Sequence, residues 1–167
     1  MAKEVLLVPQ KAFLGGRIFN QGGVMGGVFS KPNVMLRDAM GRLGYELKTI
    51  DQSGNIPEAA AIVFFEMPEE SNEYYRFCVG RGLQKKMYLV VNEPSVVHPP
   101  NHDPTKHGEF KRVMTWNEKL IDGKKYVPYN VMVPLKFGKR IKVPRKPFGG
   151  KKLLCLIFSN KYSPYPN

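Results

Sequence analysis

A short apolar strand that ends in a carboxylate and a proline-rich loop constrains the fold of this chain more than any other feature. The stretch Lys85–Asn101 has the sequence KKMYLVVNEPSVVHPPN, and Met87–Val91 is apolar or aromatic without interruption. A short run of this composition, stopped by Pro94, is typical of a strand buried on both faces. In open α/β sheets the ligand crevice lies beyond the carboxyl ends of the strands. Glu93, just after the run, is therefore the first candidate for a functional residue.

Similar apolar runs recur along the chain and alternate with helical patterns. Apolar residues at helical spacing follow Asn33, which can cap a helix, and end before Gly44. A second helical segment is predicted at Glu69–Phe77. This alternation indicates βαβ units, and hence an α/β fold with a mostly parallel sheet flanked by helices. The predicted strands are Lys3–Pro9, Tyr45–Asp51, Ala59–Phe65, Met87–Val91, Val113–Trp116 and Leu153–Phe158, with Lys125–Val133 extended.

The length of 167 residues suits about one domain. We predict an α/β domain at residues 1–134, a basic linker at 135–152 and a last strand within 153–167. That strand either completes the first domain or begins a second one.

The positive charge of the chain is concentrated in one tract. The formal net charge is +12, from 26 Lys and Arg against 14 Asp and Glu. Eight of the basic residues and no acidic residue lie in Lys136–Lys152, and the remaining 18 leave a net charge of only +4. Such a tract suits binding to nucleic acid, anionic lipid or anionic polysaccharide, and equally a solvated linker. Because the charge is local, no specific nucleic-acid partner is predicted.

Nothing in the sequence indicates export. No apolar run approaches the ~20 residues of a membrane span, and the N-terminal MAKEVLLVPQ lacks the long apolar core of a signal peptide. We therefore expect a cytoplasmic location, with the basic tract as a means of peripheral contact with a membrane. Cys78 and Cys155 lie in apolar surroundings without the spacing of a metal site, so free buried thiols are predicted.

Two carboxylates, Glu66 and Glu93, follow apolar runs. In parallel strands of one sheet both would emerge at the same edge, where a substrate hydroxyl could meet them. A general base needs a carboxylate within ~3 Å of the proton it removes, in a pocket that tunes its pKa. The alternative for Glu93 is a structural role, in which the carboxylate accepts hydrogen bonds from loop amides.

Three histidines, His98, His102 and His107, share the loop HPPNHDPTKH. Its prolines exclude a regular helix and no cysteine is near, so the loop does not match the ligand spacing of a zinc site. Two interpretations remain: an imidazole that hydrogen-bonds substrate or loop backbone, and a solvated histidine.

The loop that follows the first predicted strand is rich in glycine. It has the sequence GGRIFNQGGVMGGVF from Gly15 onward. This spacing fits neither the P-loop nor the dinucleotide-binding fingerprint. A cradle for substrate or phosphate and a plain flexible loop are the two interpretations, because glycine serves both.

Three segments, VNEPSVVHPPN, FKRVMTWNEKLIDGKKYVPYNVMVP and KKLLCLIFSNKYS, together resemble one family. Their order and spacing are similar to those in the N-terminal half of the glycosyltransferase family 10 fucosyltransferases. In that family a strand ends in a Glu-bearing segment, and a segment with Phe or Trp and then Asn or Thr follows. A Pro-Tyr comes later, and after a basic linker a strand ending in Ser-Asn opens the donor-binding domain. The corresponding residues here are Glu93-Pro94, Thr115-Trp116-Asn117, Pro128-Tyr129 and Ser159-Asn160.

The resemblance implies the acceptor-side, Rossmann-like domain of a GT-B glycosyltransferase. The full enzyme would transfer fucose from GDP-fucose to a glycan hydroxyl with inversion, and Glu93 would take the proton from the attacking hydroxyl. No metal or other cofactor is implied. GDP-fucose would bind mainly to a C-terminal donor-binding domain, of which residues 153–167 would be the start. The chain by itself is then expected to be an inactive fragment.

The residues that we expect to contact the glycan acceptor lie in loops near Glu93 and in the glycine-rich loop. Asn92 before Glu93 and Pro94 directly after it depart from the family's pattern. The alternative to an enzyme is a non-catalytic protein, which either binds a polyanion or keeps the fold for a structural or assembly role. The expected acceptor contacts are Asn20, Asn92, Ser95, His98, Asn101, His102 and Trp116.

Overall fold

The computed structural model describes residues 2–20, 26–130 and 147–150. These ranges include most of the predicted domain 1–134. The predicted linker 135–152 is described only near its end, where Phe148–Gly150 forms a short 3₁₀ turn. The predicted strand Leu153–Phe158 lies outside the described residues.

In the described part of the chain six parallel strands form one sheet with α-helices packed on it, which confirms the predicted α/β, Rossmann-like fold. The strand order across the sheet is β2-β1-β3-β4-β5-β6. The strands are β1 (Lys3–Val8), β2 (Tyr45–Thr49), β3 (Ala61–Phe65), β4 (Met87–Val91), β5 (Arg112–Thr115) and β6 (Tyr126–Pro128). The helices are α1 (Gly26–Arg42) and α2 (Glu73–Gly80).

Strand β4 lies inside the sheet, as its apolar composition predicts. Leu89 pairs with Phe64 of β3 on one side and with Val113 of β5 on the other. Four of its five residues are buried. A continuous apolar run suits this position because both edges of the strand are paired and little of it meets water.

Two apolar cores cover the two faces of the sheet. On one face α2 and the segment 104–110 pack on the strands, and Phe64 there lies edge-on to Tyr75 and Phe110. On the other face α1 brings Leu36 into the cluster around Leu7. The sheet is thus the middle layer of three, the arrangement that buries both faces of parallel strands.

Cys78 of α2 lies within the first of these cores. It is free and fully buried, and burial raises the pKa of its thiol to about 11. This confirms the prediction of a free buried thiol at this position. The other cysteine, Cys155, lies outside the described residues.

Both helices begin at residues other than those predicted from the sequence. Helix α1 begins at Gly26 rather than after Asn33, and Pro32 lies inside it. A proline removes one helical hydrogen bond but does not always end a helix, so the sequence signal placed the start too late. Helix α2 begins at Glu73 because the Asn72 side chain caps it, accepting from the Tyr75 amide at 3.0 Å. Among the described residues no helix is both long and apolar enough to cross a bilayer.

The connections around β5 contain no α-helix. The chain between β4 and β5 forms short 3₁₀ segments at Pro99–His102 and Pro104–Glu109. Between β5 and β6 there is only the 3₁₀ turn Glu118–Leu120. The histidine loop and Trp116 therefore lie in loops rather than on a helix, as the prolines of the histidine loop predict.

Truncating Phe64 should destabilise the protein far more than truncating an exposed phenylalanine of α2. Phe64 is 1% exposed and contacts two aromatic rings, so Phe64→Ala should lower the free energy of unfolding by ~3–5 kcal/mol. The matched control is Phe77→Ala, at a ring that is 36% exposed, for which we expect ~1 kcal/mol or less. Urea denaturation followed by circular dichroism measures both values, and equal losses would contradict this view of the core.

Candidate functional site

The strand order creates a crevice between the carboxyl ends of β1 and β3. From β1 the chain moves outward to β2 and then returns to the other side of β1 to form β3. At such a switch point the loops that leave two neighbouring strands diverge, and the gap between them is where ligands bind in doubly wound sheets. The loop after β1 begins at Pro9 and the loop after β3 begins at Glu66. The candidate site therefore lies at this edge, which we call the carboxyl edge.

A cavity of about 350 Å³ lies in this crevice. The loop after β1 contributes Gln10 and Lys11, and the loop after β3 contributes Glu66 and Met67. Glu93, from the loop after β4, lines the same cavity. The sequence analysis did not identify Gln10 and Lys11 as candidates. They are polar residues just beyond a buried strand, which is the same signal that identified Glu93.

The backbone of Glu93 is held in place, and its side chain is exposed. The amide donates to Glu66 Oε2 at 3.3 Å, and the carbonyl oxygen accepts from Asn101 Nδ2 at 3.2 Å and from His102 Nε2 at 3.1 Å. The carboxylate receives no hydrogen bond and no ion pair from the residues that the structure describes. A fixed backbone with an unengaged carboxylate is suited to accept a proton from an external ligand.

Glu66 holds the loop after β4 through its carboxylate. This group accepts from the Asn92 amide at 3.2 Å, from Asn92 Nδ2 at 3.0 Å, from the Glu93 amide and from Asn101 Nδ2. With φ of 67°, Glu66 is the one non-glycine residue in the left-handed region among those described. A side chain adopts that conformation only where surrounding contacts hold it there. The structural role considered for Glu93, a carboxylate occupied by loop amides, is thus the role of Glu66.

Asn92 and Asn101, expected to contact an acceptor, are engaged within the protein. The backbone amide and the side-chain amide of Asn92 both donate to the Glu66 carboxylate. The backbone carbonyl oxygen of Asn92 accepts from Trp116 Nε1 at 2.9 Å. Asn101 is 0% exposed, and its side-chain oxygen accepts from the Met67 amide at 2.7 Å. Both side chains thus have structural partners within the protein, and contact of either with an acceptor stays a prediction.

His98 and His102 both donate to backbone carbonyl groups at the carboxyl edge. His98 lines the cavity, and its Nε2 donates to the Met67 carbonyl oxygen at 2.8 Å. His102 is half-buried and holds the Glu93 carbonyl, as described above. Of the alternatives that the sequence left open, hydrogen bonding to loop backbone is the one seen for both. Contact of either ring with a ligand stays a prediction.

His107 is fully buried between two hydrogen-bonding groups. Its Nε2 donates to the Asn101 carbonyl oxygen, and its Nδ1 accepts from the Tyr126 hydroxyl, each at 3.1 Å. Burial is the main cause that lowers the pKa of His107, and this favours the neutral ring in which Nε2 donates and Nδ1 accepts. Within the described ranges no three His, Cys, Asp or Glu side chains are grouped closely enough to hold a metal ion.

Trp116 presents an aromatic surface at the end of β5. The residue is 42% exposed, and its ring lies 5.8 Å from the His102 ring, centroid to centroid. Ser95 and Val97, in the turn after Glu93, are also exposed. Ser95 and Trp116 are therefore accessible, and their contact with an acceptor stays a prediction.

Asn20 lies apart from the cavity. The glycine-rich loop is tied to the end of β2, because the Gly15 amide donates to Asp51 Oδ2 at 2.7 Å and the Gly16 amide to Thr49 Oγ1 at 2.9 Å. Both glycines have positive φ, 68° and 70°, which other residues rarely adopt. Asn20 is exposed and is not among the described residues that line the cavity. The next residues of the loop lie outside the described part, so a ligand role for the loop stays a prediction.

A second, larger cavity adjoins the first. Its volume is about 620 Å³, and the two cavities share Met67, Pro68 and His98 as lining residues. It extends the crevice from the end of β3 towards the segment 104–109, with Tyr75 in its wall. The crevice is therefore large enough for a ligand of several functional groups.

No family model, no curated protein and no solved structure matches this chain.

Mild acid should destabilise the protein through His107. Because its pKa is lowered in the folded protein, the unfolded chain binds a proton below its ordinary pKa of ~6.5 that the folded protein does not bind. The contribution of His107 to the free energy of unfolding is complete at pH 7 and should fall towards pH 5, by at most ~1.4 kcal/mol per pH unit. Urea titrations across this interval measure the slope.

The control for this prediction is His107→Gln, which should show a smaller slope between pH 7 and 5. The carboxyl groups with a lowered pKa, Glu4, Asp103 and Asp122, lose their contribution only below about pH 4–5 and do not interfere. An NMR titration of the folded protein reports on the ring directly. A His107 ring that is charged at pH 6 would contradict the prediction.

Proposed function

We propose that this protein binds a glycan acceptor at the carboxyl edge of its sheet, as the acceptor-side domain of a fucosyltransferase-like enzyme. Glu93 accepts the proton of an acceptor hydroxyl while that oxygen attacks the anomeric carbon of fucose and GDP leaves with its bonding electrons. The configuration at the anomeric carbon is inverted. The observation that carries the proposal is the unengaged, exposed carboxylate of Glu93 in the crevice.

The division of roles between the two carboxylates supports Glu93 as the base. A general base must reach the proton of the ligand, and a carboxylate that already accepts several protein hydrogen bonds is poorly placed to do so. Glu66 is occupied in this way, whereas Glu93 lines the cavity, and its backbone is held at both the amide and the carbonyl. Such support keeps a reacting group in one position without engaging it.

The surroundings of Glu93 offer groups suited to a sugar. Gln10 and Lys11 line the cavity and supply hydrogen-bond donors for hydroxyl groups. Trp116, fixed by its indole N–H, exposes an aromatic face against which the apolar side of a sugar ring can pack. Ser95 and His98 complete the acceptor contacts that we propose.

The donor would bind elsewhere. A leaving GDP needs cationic or hydrogen-bond-donating groups at its diphosphate, and we assign none of these groups to this chain. The resemblance implies a donor-binding domain that begins with the strand ending in Ser159-Asn160, outside the described residues. A C-terminal donor domain, joined to this chain or supplied as a partner, is therefore part of the proposal.

Glu93→Gln should abolish transfer without abolishing acceptor binding. When this chain is joined to a donor-binding domain, loss of the general base should lower the rate of fucose transfer by ~10²–10⁴-fold, as measured by mass spectrometry of the acceptor. Binding of a neutral acceptor such as N-acetyllactosamine to the 167-residue chain, followed by saturation-transfer NMR, should change less than about threefold, because glutamine keeps the shape of the residue. A wild-type rate of transfer would reject the base, and absence of any acceptor binding would reject the site.

The matched control is Glu118→Gln. Glu118 is an exposed residue in the loop after β5, at the same edge of the sheet. It is not among the described residues that line the Glu93 cavity. Its replacement removes the same charge from the same edge, and transfer should stay within about twofold of the wild-type rate. Equal losses in the two variants would indicate an effect of net charge rather than of a base.

A second candidate function is binding to a polyanion, and the charge distribution favours it. The tract Lys136–Lys152, most of which lies outside the described residues, holds eight basic side chains and no acidic one. If these side chains contact phosphate or sulfate groups, affinity for heparin or single-stranded DNA should fall by ~10³-fold between 50 and 200 mM salt. Fluorescence anisotropy measures how steeply the affinity falls with salt concentration, and Glu93→Gln should leave this dependence unchanged. Absence of binding at 50 mM salt would eliminate this function and the peripheral contact with anionic lipid that we also expect.

A further inference from the structure

Asn101 joins the loop after β3 to the start of the loop after β4 at the carboxyl edge. Its side-chain oxygen accepts from the Met67 amide at 2.7 Å, and its side-chain nitrogen donates to the Glu66 carboxylate and to the Glu93 carbonyl oxygen, the latter at 3.2 Å. Asn101 is 0% exposed, and its bond from the Met67 amide is buried, whereas the bonds to Glu66 and Glu93 are partly buried. One side chain thus holds the loop after β3 and the loop after β4 in a fixed relation to each other.

We propose that Asn101 is the positioning residue of Glu93: it holds the Glu93 backbone so that the carboxylate points into the cavity. This inference rests on the proposed function for the role of Glu93, but its geometric part can be tested without any sugar. Asn101 does not touch the ligand itself. It acts through the Glu93 carbonyl directly, and through Glu66, whose carboxylate holds the Glu93 amide.

The chemistry of the position requires asparagine. The Met67 amide needs an acceptor, whereas Glu66 and the Glu93 carbonyl both need donors, and a side-chain amide supplies one oxygen and two N–H groups. Aspartate keeps the acceptor but loses both donors, and it places a second carboxylate against Glu66. Leucine keeps the size but leaves the buried Met67 amide without an acceptor, and it removes one donor each from Glu66 and from the Glu93 carbonyl.

Hydrogen bonds that reach the edge strand β6 hold the backbone of Asn101 in place. Its backbone carbonyl accepts from His107, and His107 in turn accepts from the hydroxyl of Tyr126 on β6. The chain of contacts runs from Tyr126 to His107, to Asn101 and then to Glu93. The direction of the base therefore depends on a tyrosine in the last strand of the sheet as well as on its immediate neighbours.

Amide hydrogen exchange followed by NMR tests this arrangement in the 167-residue chain. In Asn101→Asp the repelled Glu66 carboxylate should release the Asn92 and Glu93 amides, whose exchange should accelerate ~10- to 100-fold. The Met67 amide should stay within about threefold of the wild type, because aspartate still accepts from it. Core amides such as that of Leu89 should change no more than that of Met67.

The control is Asn117→Asp, the same substitution at the same edge. The Asn117 side-chain oxygen accepts from the Lys119 amide at 3.1 Å, and aspartate can do the same. No acceleration at Asn92 or Glu93 is expected in this variant. Glu66→Gln combined with Asn101→Asp should slow the two amides again relative to Asn101→Asp, because the glutamine N–H can donate to the aspartate.

A second variant keeps the proposal testable if Asn101→Asp fails to fold. Tyr126→Phe removes one hydroxyl from the distant end of the chain of contacts, and it should accelerate the Glu93 amide by about threefold or more while Leu89 stays unchanged. Acceleration confined to the Asn92 and Glu93 amides supports the positioning role. Equal acceleration at every amide, or none at Glu93 in either variant, would overturn it.

The transfer reaction provides a readout that a purely structural role would not move. With a donor domain present, Asn101→Asp should lower kcat by ~10²-fold through misplacement of the base, while KM for the acceptor stays within about threefold. Faster exchange at Glu93 with unchanged kcat would overturn the positioning role. If Glu93→Gln also leaves kcat unchanged, the proposed function has failed. If Glu93→Gln abolishes transfer, only the inference about Asn101 has failed.

Discussion

The hydrogen bonds accepted by the Glu66 carboxylate determine the shape of the edge on which function depends. They join the end of β3 to the loop after β4 by way of the Asn92 and Glu93 amides and the Asn101 side chain. Without this acceptor, backbone and side-chain donors beside the core would lack partners, which is costly in free energy. The left-handed conformation of Glu66 places its side chain across the strand end, and the bonds that it forms compensate for that conformation.

The pairing of β3 with β4 explains why two similar carboxylates have different roles. Phe65 pairs with Val90, so Glu66 lies level with the last residue of β4 and just below Asn92. Its carboxylate therefore reaches the amides that leave the neighbouring strand. Glu93 lies two residues beyond the end of β4, past the hydrogen-bonding pattern of the sheet. This small offset along the chain separates the hydrogen-bonded carboxylate of Glu66 from the exposed residue Glu93, which lines the cavity.

Much of the fold could be predicted because it depends on local apolar patterns. The run Met87–Val91 and the other described strands appear within a few residues of their predicted limits. The start of α1 could not be predicted, because Pro32 lies inside the helix, where the local sequence signal favours an end or a start rather than a continuous helix. The burial of Asn101 could not be predicted either, because a polar residue in a proline-rich loop gives no sign in the sequence that it is buried.

By itself the sequence determined the alternation of apolar strands and helices, the parallel sheet that follows from it, and the presence of carboxylates just beyond two strand ends. These features depend on neighbouring residues, whose pattern is visible along the chain. Only the tertiary structure decided which carboxylate is occupied and which is open. The bonds from Glu66 to Asn92 and to Asn101 span 26 and 35 residues, and the strand order that brings them together is a property of the folded sheet.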